Sequence, residues 1–496
     1  NFPYAIPAGG VLAALAAGNT VVLKPAPEAV LVGAHLVDQL WRAGFPREVV
    51  VCLPVGDDDV GRALIEKADA VVLTGSLASA VRFTSWRPRL HLLAETSGKN
   101  AIVVTARADV DAAARDIAAS AFGHSGQKCS AASLALVTRD VAGDPAFWRQ
   151  LRDAVESFVV GRAYDPGSHV GPVIHPPNGD LERALRHLEP GESWFLEPRA
   201  LNEARTLWRP GVKRGTRPGS WSHLTEWFGP VLAVIEVDNL ADAVEVQNGT
   251  RYGLTAGLHS LDAAEIVYWL EHVRAGNLYV NRTITGAVVH RQPFGGWRAS
   301  ALGVGPQAGQ RGYVGAVSEG EVLSEPEDIG ALRESATRWM RELGREARSS
   351  DTLEFEWNLH RYVPYERVVV RLDEPTPLVV HALETLAEVL DLTLEISSAR
   401  GLTSRLSVVV EEADRLLARV GEDWRVRWLS REDPPTASLA ERGIALDLRP
   451  LEREGCREAP RWLRGQSLSI TRHRYGNVHA GPRLRVVGRR IEVEKV

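Results

Sequence analysis

The sequence predicts an α/β protein in which parallel strands alternate with helices. One supporting observation is the β-branched run "TVVLKPAP" at residues 20–27, which is closed by prolines and followed by helical apolar spacing over 29–46. Another is a similar alternation of strands and helices in the last third of the chain, at residues 366–429. Helices between strands favour parallel pairing, because a parallel connection needs a crossover of about a dozen residues. We therefore expect more than one α/β region.

The predicted elements follow in order along the chain. The first part is expected to contain a strand at 19–28, a helix at 29–46, a strand at 49–56, a helix at 57–69, a strand at 70–76 and a helix at 109–123. The last part is expected to contain a charged helical connector at 325–351, a strand at 366–372, a helix at 377–392, a strand at 392–397, a helix at 404–420, a strand at 424–429 and a hairpin-like end at 461–488. This last group predicts a small, separate, doubly wound domain.

Composition argues against several classes of function. A net charge of −5 over 496 residues does not indicate binding to nucleic acid or to a membrane surface. The three cysteines, Cys52, Cys129 and Cys456, are too widely spaced for a disulfide framework or a metal site, which suits a reducing cytoplasm. No apolar run predicts a membrane span, and no signal peptide is visible. The chain starts at Asn1 and its one methionine is Met340, so we expect it to be part of a longer translated chain.

The segment "AFGHSGQKCSAAS", residues 121–133, places Cys129 among glycine and other small residues. A catalytic thiol needs access for the substrate and a route to the thiolate form. A buried structural cysteine is the alternative, and Cys52 within "VVVCLPVG" fits that description. Cys129 is therefore the candidate nucleophile.

Further candidates follow predicted strands. Glu95 comes after the apolar run "LHLLA" and could be a general base, or a solvated or capping acid. Gly75 and Ser76 open a predicted helix and could bind phosphate, or form an ordinary turn with a serine cap. Lys24 ends a strand and could reach a ligand crevice, or be a surface lysine.

Two later segments also carry candidates. In "TEWFGPVLAV", residues 225–234, Glu226 could accept hydrogen bonds from ribose hydroxyls and Phe228 could pack on a flat ring. The alternative is a loop acid and a core aromatic. The glycine-rich segment "QPFGGWRASALGVGPQAG", residues 292–309, could present backbone N–H groups to a substrate carboxylate, or could be a surface loop.

Taken together and in order, these motifs resemble the aldehyde dehydrogenase superfamily over residues 1 to about 315. The motifs are "NFP", "GNTVVLKPAPE", "LTGS", "AETSGKN", "GQKCS", "EWFGPV", "YGLTAGL", "GNLYVNR" and "PFGGWRASALG". Residues 275–309 are similar to 1-pyrroline-5-carboxylate (L-glutamate γ-semialdehyde) dehydrogenases, and look most like the module within bifunctional proline utilization A proteins. The ending "LRGQSLSITRHRYGN" is similar to the C-terminal region of the longer members of that group.

The resemblance implies an aldehyde dehydrogenase fold: an incomplete Rossmann-like NAD domain, an α/β catalytic domain, an additional C-terminal α/β domain and a hairpin tail. The implied boundaries are 1–94 for the C-terminal part of the NAD domain, 95–320 for the catalytic domain, 321–352 for a helical linker, 353–450 for the Rossmann-like domain and 451–496 for the tail. It also implies that the first strands of the NAD domain, and a proline dehydrogenase domain, belong to a part that this chain lacks.

Site residues are implied position by position. Cys129 would be the nucleophile, Glu95 the general base and Asn1 the oxyanion-hole side chain. The residues implied to hold NAD are Lys24 at the adenosine ribose, Gly75 and Ser76 at the pyrophosphate, and Glu226 and Phe228 at the nicotinamide riboside. The residues implied to hold the substrate are Phe2, Ser130, Gly303, Gly305 and Ala308.

The implied activity is NAD-dependent oxidation of L-glutamate γ-semialdehyde to L-glutamate through a cysteine thioester, the second step of proline catabolism. We expect a cytoplasmic homo-oligomer without a metal or a nucleic-acid partner. One departure is Pro27, which stands where the family often has glutamate, so the second ribose contact is open. The alternatives are a dehydrogenase for another small carboxylate-bearing semialdehyde, and an inactive, truncated assembly module. A coenzyme-A-acylating relative is disfavoured by Glu95, which supplies a base for hydrolysis.

Overall fold

The structure is a computed structural model, and it describes residues 1–288, 291–303, 305–349, 353–474, 477–478, 483–487 and 490–494. Within these ranges, no helix combines the length and the apolar character needed to cross a lipid bilayer.

Helices occur throughout the chain. They are α1 Ala5–Ala16, α2 Val30–Arg42, α3 Asp59–Lys67, α4 Leu77–Trp86, α5 Val110–Phe122, α6 Arg139–Ala142, α7 Pro145–Glu156, α8 Gly179–Arg186, α9 Trp221–Leu224, α10 Leu240–Asn248, α11 Ala263–His272, α12 Tyr313–Ala316, α13 Asp328–Trp339, α14 Pro377–Leu390, α15 Ala413–Arg419, α16 Thr436–Glu441 and α17 Gly455–Glu458.

Strands alternate with these helices in most of the chain. They are β1 Val21–Leu23, β2 Val50–Cys52, β3 Ala70–Thr74, β4 His91–Glu95, β5 Asn100–Val104, β6 Ala132–Thr138, β7 Ser193–Leu196, β8 Arg199–Ala200, β9 Trp208–Arg209, β10 Gly211–Arg214, β11 Val231–Val237, β12 Tyr252–Gly253, β13 Thr255–His259, β14 Asn277–Val280, β15 Trp297–Arg298, β16 Ala301–Gly303, β17 Arg348–Ser349, β18 Glu356–Pro364, β19 Arg367–Leu372, β20 Leu394–Ser398, β21 Ser407–Val410, β22 Trp424–Trp428, β23 Ala445–Asp447, β24 Leu463–Thr471, β25 His473–Arg474, β26 Asn477–Val478, β27 Arg483–Val487 and β28 Arg490–Glu494.

The chain divides into two compact units. The first unit comprises residues 1–96, 293–347 and 361–465, and the second comprises residues 97–292, 348–360 and 466–496. The break after Thr96 lies two residues from the predicted boundary after residue 94. The first unit contains residues 361–450 of the predicted Rossmann-like domain (353–450) together with residues 1–96, whereas the sequence predicted two separate domains.

The first unit contains three small sheets. Strands β1 and β2 pair in parallel, and β3 pairs in parallel with β4, which β16 joins in antiparallel register. A five-stranded parallel sheet has the order β21-β20-β19-β22-β23. Its strand order reverses between β19 and β22, so it is doubly wound, as predicted.

The second unit is built on most of a ten-stranded sheet with the order β17-β18-β24-β14-β13-β5-β6-β11-β10-β7. Its central strands β13, β5, β6 and β11 are parallel. Residues such as Ile102, Leu134 and Val234 have no solvent exposure there. Burial on both faces explains why these strands are nearly continuous apolar runs.

The predicted strands and helices before residue 123 are confirmed to within a few residues at their ends. The helix predicted over 404–420 is wrong in its first half. Residues Ser407–Val410 form β21, which pairs in parallel with β20, and the helix begins only at Ala413. Three consecutive valines explain this, because β-branched side chains favour strands over helices.

Two other expectations need correction. The helical connector predicted over 325–351 is helical only as far as Gly344, and Leu332 and Ala336 on α13 are fully buried. The predicted tail contains β24, which lies inside the ten-stranded sheet between β18 and β14. A hairpin does follow, formed by β27 and β28, and the glycine turn at residues 475–476 lies outside the described residues.

Candidate active site

Cys129 lies in a loop between α5 and β6. After α5 ends at Phe122, three residues have left-handed backbone: His124 (φ 55°), Ser125 (φ 57°) and Gly126 (φ 67°). A Cβ on Gly126 would lie 2.2 Å from the carbonyl oxygen of Gly229, so only glycine fits this turn. Cys129 itself is half-buried.

The carbonyl of Cys129 is held by Asn100, which begins β5. The Asn100 side-chain amide donates to the carbonyl oxygen of Cys129 (2.7 Å) and to that of Ala131 (2.9 Å), while its Oδ1 accepts from the N–H of Thr255 (3.0 Å). A Cβ on Gly98 would lie 2.8 Å from the same Cys129 oxygen. The motif "TSGKN" thus contains two residues whose identity is required by the cysteine loop.

Glu226 and Phe228 precede β11, next to the cysteine loop. The Gly98 N–H donates to Oε1 of Glu226 (2.9 Å), and burial raises the pKa of the Glu226 carboxyl against that hydrogen bond. Phe228 has a left-handed backbone (φ 51°), and its carbonyl oxygen accepts from Nε2 of Gln127 (3.1 Å). Strands β5, β6 and β11 are parallel neighbours, so these residues meet at the amino ends of the strands.

Ser130 is buried beside Cys129, with 5% of its surface exposed. Its backbone carbonyl oxygen accepts from the Thr255 hydroxyl (3.3 Å). The second unit therefore brings together four of the predicted site residues: Cys129, Ser130, Glu226 and Phe228.

Glu95 ends β4 in the first unit. Its Oε2 accepts from the N–H of Gly296 (3.1 Å), and its backbone carbonyl accepts from the N–H of Gly75 (3.1 Å). Burial of the carboxyl, opposed by the Gly296 N–H, raises the pKa of Glu95 to about 8. A carboxyl with this pKa suits a general base near neutral pH better than a solvated acid would.

Gly75, Ser76 and Lys24 follow strand ends of the same unit. Ser76 caps α4, because its hydroxyl oxygen accepts from the N–H of Ser79 (3.1 Å). Lys24 follows β1, and its Nζ lies 3.3 Å from a carboxylate oxygen of Asp57. This cap is compatible with phosphate binding as well as with an ordinary turn, since a capped helix start also presents N–H groups to an anion.

The remaining predicted residues also lie in the first unit. Asn1 is exposed and Phe2 is half-buried. Gly303 has φ 87°, and a Cβ there would lie 1.5 Å from the carbonyl oxygen of Leu92, so glycine is required. A Cβ on Gly305 would lie 2.3 Å from the Leu93 side chain.

Ala308 lies in the same glycine-rich segment. Its N–H donates to the carbonyl oxygen of Phe294 (2.9 Å), and the Phe294 N–H donates back to the Ala308 oxygen (2.9 Å). The N–H of Ala308 is therefore already used within the loop, and the loop's backbone would need another donor for a carboxylate.

Sequence reasoning missed three residues that support the site: Lys99, Asn100 and Gln127. Gln127 joins two segments, since its Oε1 accepts from the N–H of Ile174 (2.8 Å) while its Nε2 donates to Phe228. Lys99 is buried, with its Nζ 3.6 Å from the ring centroid of Trp227. The polar residues of "TSGKN", directly before a buried strand, were the available signal for Lys99 and Asn100.

Comparison with known proteins supports the resemblance. The chain is 35% identical to a 1-pyrroline-5-carboxylate dehydrogenase from Bacillus subtilis (strain 168) over 329 residues, which are 63% of this chain and 62% of that protein. A similar protein of the same description from Geobacillus kaustophilus (strain HTA426) is 34% identical over 66% of this chain and 64% of its own length. The chain thus spans less than two thirds of the length of these relatives.

Among solved structures, proline utilization A (PutA) from Corynebacterium freiburgense matches with a TM-score of 0.83 and 37% identity, over 96% of this chain and 50% of that one. A 1-pyrroline-5-carboxylate dehydrogenase from Thermus with bound NAD matches with a TM-score of 0.59 and 34% identity, over 64% of this chain and 63% of that one. These matches confirm the predicted α/β aldehyde dehydrogenase fold. The model of the aldehyde dehydrogenase family matches residues 1–316. With its cysteine loop, its buried acid and this match over more than half of its length, the chain belongs to the aldehyde dehydrogenase family.

Proposed function

We propose that this chain oxidises L-glutamate γ-semialdehyde to L-glutamate with NAD, through a thioester on Cys129. The observation that carries the proposal is the cysteine loop, in which the Asn100 amide holds the backbone of the half-buried Cys129. The similar proteins described as 1-pyrroline-5-carboxylate dehydrogenases support the choice of substrate. The similarity to proline utilization A supports a role in proline catabolism.

The first step is attack of the Cys129 thiolate on the aldehyde carbon, which forms a C–S bond and leaves negative charge on the aldehyde oxygen. Donors already aimed at that oxygen lower the barrier, and loss of one such donor typically costs about 3 kcal/mol. In the proposal, the Asn1 side-chain amide and the Cys129 backbone N–H are these donors.

The donor set of the chain fits a dinucleotide. Glu226 is a fixed carboxylate that could accept from ribose hydroxyls, Ser76 marks a helix start suited to a pyrophosphate, and Lys24 ends a strand. Phe228 would pack on the nicotinamide riboside, and Gly75 would let the backbone approach the pyrophosphate. When bound, NAD supplies the acceptor for the hydride that leaves the thiohemiacetal carbon.

Release of the product is assigned to Glu95. In its ionised form the Glu95 carboxylate takes a proton from water, and the resulting hydroxide attacks the thioester carbon. The C–S bond then breaks, so that glutamate leaves and Cys129 returns as the thiolate. A pKa of about 8 makes the carboxylate a stronger base than a solvated glutamate.

Recognition of the substrate is assigned to Phe2 and to backbone and hydroxyl groups near the substrate's α-carboxylate. We propose that Phe2 packs on the aliphatic part of the substrate, and that Ser130 and the loop with Gly303 and Gly305 hold the carboxylate. Glycine at 303 keeps this segment against β4, because a Cβ there would lie 1.5 Å from the Leu92 carbonyl oxygen.

The wider context is also a proposal. We propose a cytoplasmic homo-oligomer that works with a proline dehydrogenase domain carried on another part of a longer polypeptide. The similarity of 96% of the chain to half of a proline utilization A protein supports this arrangement.

The test is a rapid-mixing assay of the 496-residue chain with NAD and glutamate semialdehyde, following NADH formation. Cys129→Ala is expected to abolish NADH formation, while the matched variant Cys456→Ala, which removes an exposed thiol, is expected to leave it unchanged. NADH formation by Cys129→Ala, or none by the unaltered chain, would overturn the proposal.

A further inference from the structure

Lys99 is a lysine whose side chain is buried. It lies in the second unit, directly before β5, and 3% of its surface is exposed. Among the described residues, none forms a hydrogen bond with Nζ. A buried ammonium without a partner is costly, so its position calls for a compensating interaction.

The ring of Trp227 provides that interaction. Nζ of Lys99 lies 3.6 Å from the ring centroid of Trp227, which is the geometry of a cation–π contact. Trp227 is itself buried and stacks on Trp221, with ring centroids 5.8 Å apart. A ring that is packed in this way cannot shift freely, so Lys99 and Trp227 fix one another.

The same two segments are joined a second time, one residue earlier. The Gly98 N–H donates to Oε1 of Glu226 (2.9 Å), while Lys99 lies on the ring of Trp227. Successive residues 98 and 99 therefore hold successive residues 226 and 227. A displacement of the Trp227 ring therefore also moves Glu226, because the two residues are joined by one peptide unit.

The charges around Lys99 favour an effect on Glu226. Burial lowers the pKa of Lys99 well below its usual range, and the ionisable groups that interact with it are Glu226, Lys213, Glu192 and His223. Lys213 is already paired, since its Nζ contacts Oε2 of Glu192 (3.2 Å) and donates to the carbonyl of His187 (2.7 Å). Glu226 is the acid in this set whose pKa Lys99 lowers, against the rise caused by burial.

Lys99 has no room to bind a ligand of its own. The cavity that it lines, together with Gln247, Tyr252 and Thr255, has a volume of about 10 Å³, which is about one water molecule at most. An effect of Lys99 on binding must therefore pass through its neighbours.

We propose that Lys99 is a positioning residue which, through the ring of Trp227, holds the Glu226 carboxylate in place and ionised for the ribose of NAD. This inference rests on the proposed function, in which Glu226 binds the nicotinamide riboside. It makes Lys99 a determinant of cofactor affinity without contact with the cofactor.

The test is calorimetric titration of NAD into the 496-residue chain and its variants. Lys99→Met is expected to weaken NAD binding roughly tenfold, as loss of a buried cation–π contact would. The control Lys67→Met, at an exposed lysine at the end of α3, is expected to bind NAD as the unaltered chain does. Combined with Glu226→Gln, Lys99→Met is expected to add little, because both changes act on one carboxylate.

The pH dependence separates positioning from mere loss of structure. Without Lys99, the pKa of Glu226 rises. Because the ionised carboxylate is the form that binds NAD in this proposal, the pH below which binding weakens is expected to be higher in Lys99→Met than in the unaltered chain. A purely structural defect would weaken binding equally at every pH. If Lys99→Met does not fold, Trp227→Leu is expected to weaken binding to a similar extent, and Trp227→Phe to preserve most of it.

The two proposals fail in different ways. If the unaltered chain binds NAD and Lys99→Met binds it equally well, or if the effects of Lys99→Met and Glu226→Gln simply add, the inference about Lys99 is wrong and the proposed function stands. If the unaltered chain does not bind NAD, both are wrong.

Discussion

The two compact units hold their candidate catalytic groups in different ways. In the second unit, Cys129 is held through its backbone by the Asn100 amide, at the amino ends of parallel strands. In the first unit, Glu95 is the last residue of β4, and its side chain accepts a hydrogen bond from the backbone N–H of Gly296. The candidate nucleophile is thus held by hydrogen bonds to its backbone, whereas the pKa of the candidate base is raised by burial.

A nucleophile and a general base have different requirements. A nucleophile must reach a carbon along a narrow path, so its loop is anchored by side-chain hydrogen bonds and by glycine at positions that admit no Cβ. A base needs a suitable proton affinity, so the surroundings of Glu95 raise its pKa to about 8. Substitutions around Cys129 and around Glu95 are therefore expected to impair different steps of the reaction. The following predictions run from the largest expected effect to the smallest.

Glu95→Gln removes the base and leaves the nucleophile in place. We expect steady-state turnover to fall roughly 10²–10³-fold while the first equivalent of NADH still forms. In the unaltered chain, the hydrolytic rate is expected to rise with pH through about 8, because only the ionised carboxylate accepts a proton from water. Stopped-flow measurements of NADH between pH 6 and 9 test both points. Loss of the first NADH equivalent in Glu95→Gln would contradict the separation of roles.

Asn100→Leu removes the amide that holds the Cys129 carbonyl. We expect the first NADH equivalent to form roughly 10²-fold more slowly, because displacement of a reacting group by about 1 Å costs about that much. Asn248→Leu is the matched control, since Asn248 also bridges two backbone groups, the His272 oxygen and the Arg274 N–H, away from the cysteine. Equal slowing in the two variants would show that Asn100 has no special effect on Cys129.

Gly98→Ala adds a Cβ that would lie 2.8 Å from the Cys129 oxygen and 3.0 Å from Oδ1 of Asn100. We expect a roughly tenfold slower first turnover, because the loop must shift by a few tenths of an ångström. Gly123→Ala lies near the same loop, and a Cβ there meets nothing within 4 Å, so it is expected to behave like the unaltered chain. Single-turnover NADH formation distinguishes the two, and a larger defect in Gly123→Ala would refute the steric explanation.

Ser76→Ala should give the smallest effect. Removal of a helix cap typically costs about 1 kcal/mol, and Thr376→Ala removes the equivalent cap from α14. Both variants are expected to lose similar stability in denaturant titrations. Only Ser76→Ala is expected to raise the KM for NAD, by roughly fivefold, if the hydroxyl also contacts the pyrophosphate. An unchanged KM for NAD would show that the Ser76 hydroxyl only caps α4.

The sequence was sufficient for local structure wherever one signal dominated. The run "TVVLKPAP" predicted β1, and the spacing before Gly44 predicted α2. At residues 404–420 the helical spacing was misleading, because the valines at 408–410 find a parallel partner in β20. The place of β24 inside the large sheet could not be predicted, since its neighbour β14 lies almost 200 residues earlier in the chain.

The candidate site was also predicted only in part. Cys129 and Glu95 were identified through their motifs, and their catalytic roles stay predictions. The polar segment "TSGKN" marked Lys99 and Asn100 as unusual, but their partners, Trp227 and Cys129, lie about 130 and 30 residues away and could not be predicted from it. The use of the Ala308 N–H by Phe294 is likewise a pairing that spacing alone does not indicate.

The central claim is that Cys129 carries an acyl group which Glu95 removes. Its most direct test is mass spectrometry of Glu95→Gln after rapid mixing with NAD and glutamate semialdehyde, followed by acid quenching and digestion. The account predicts that the peptide containing Cys129 gains the mass of one glutamyl group, in proportion to the NADH formed. NADH formation with no such gain on that peptide, or with the gain on another cysteine, would contradict it.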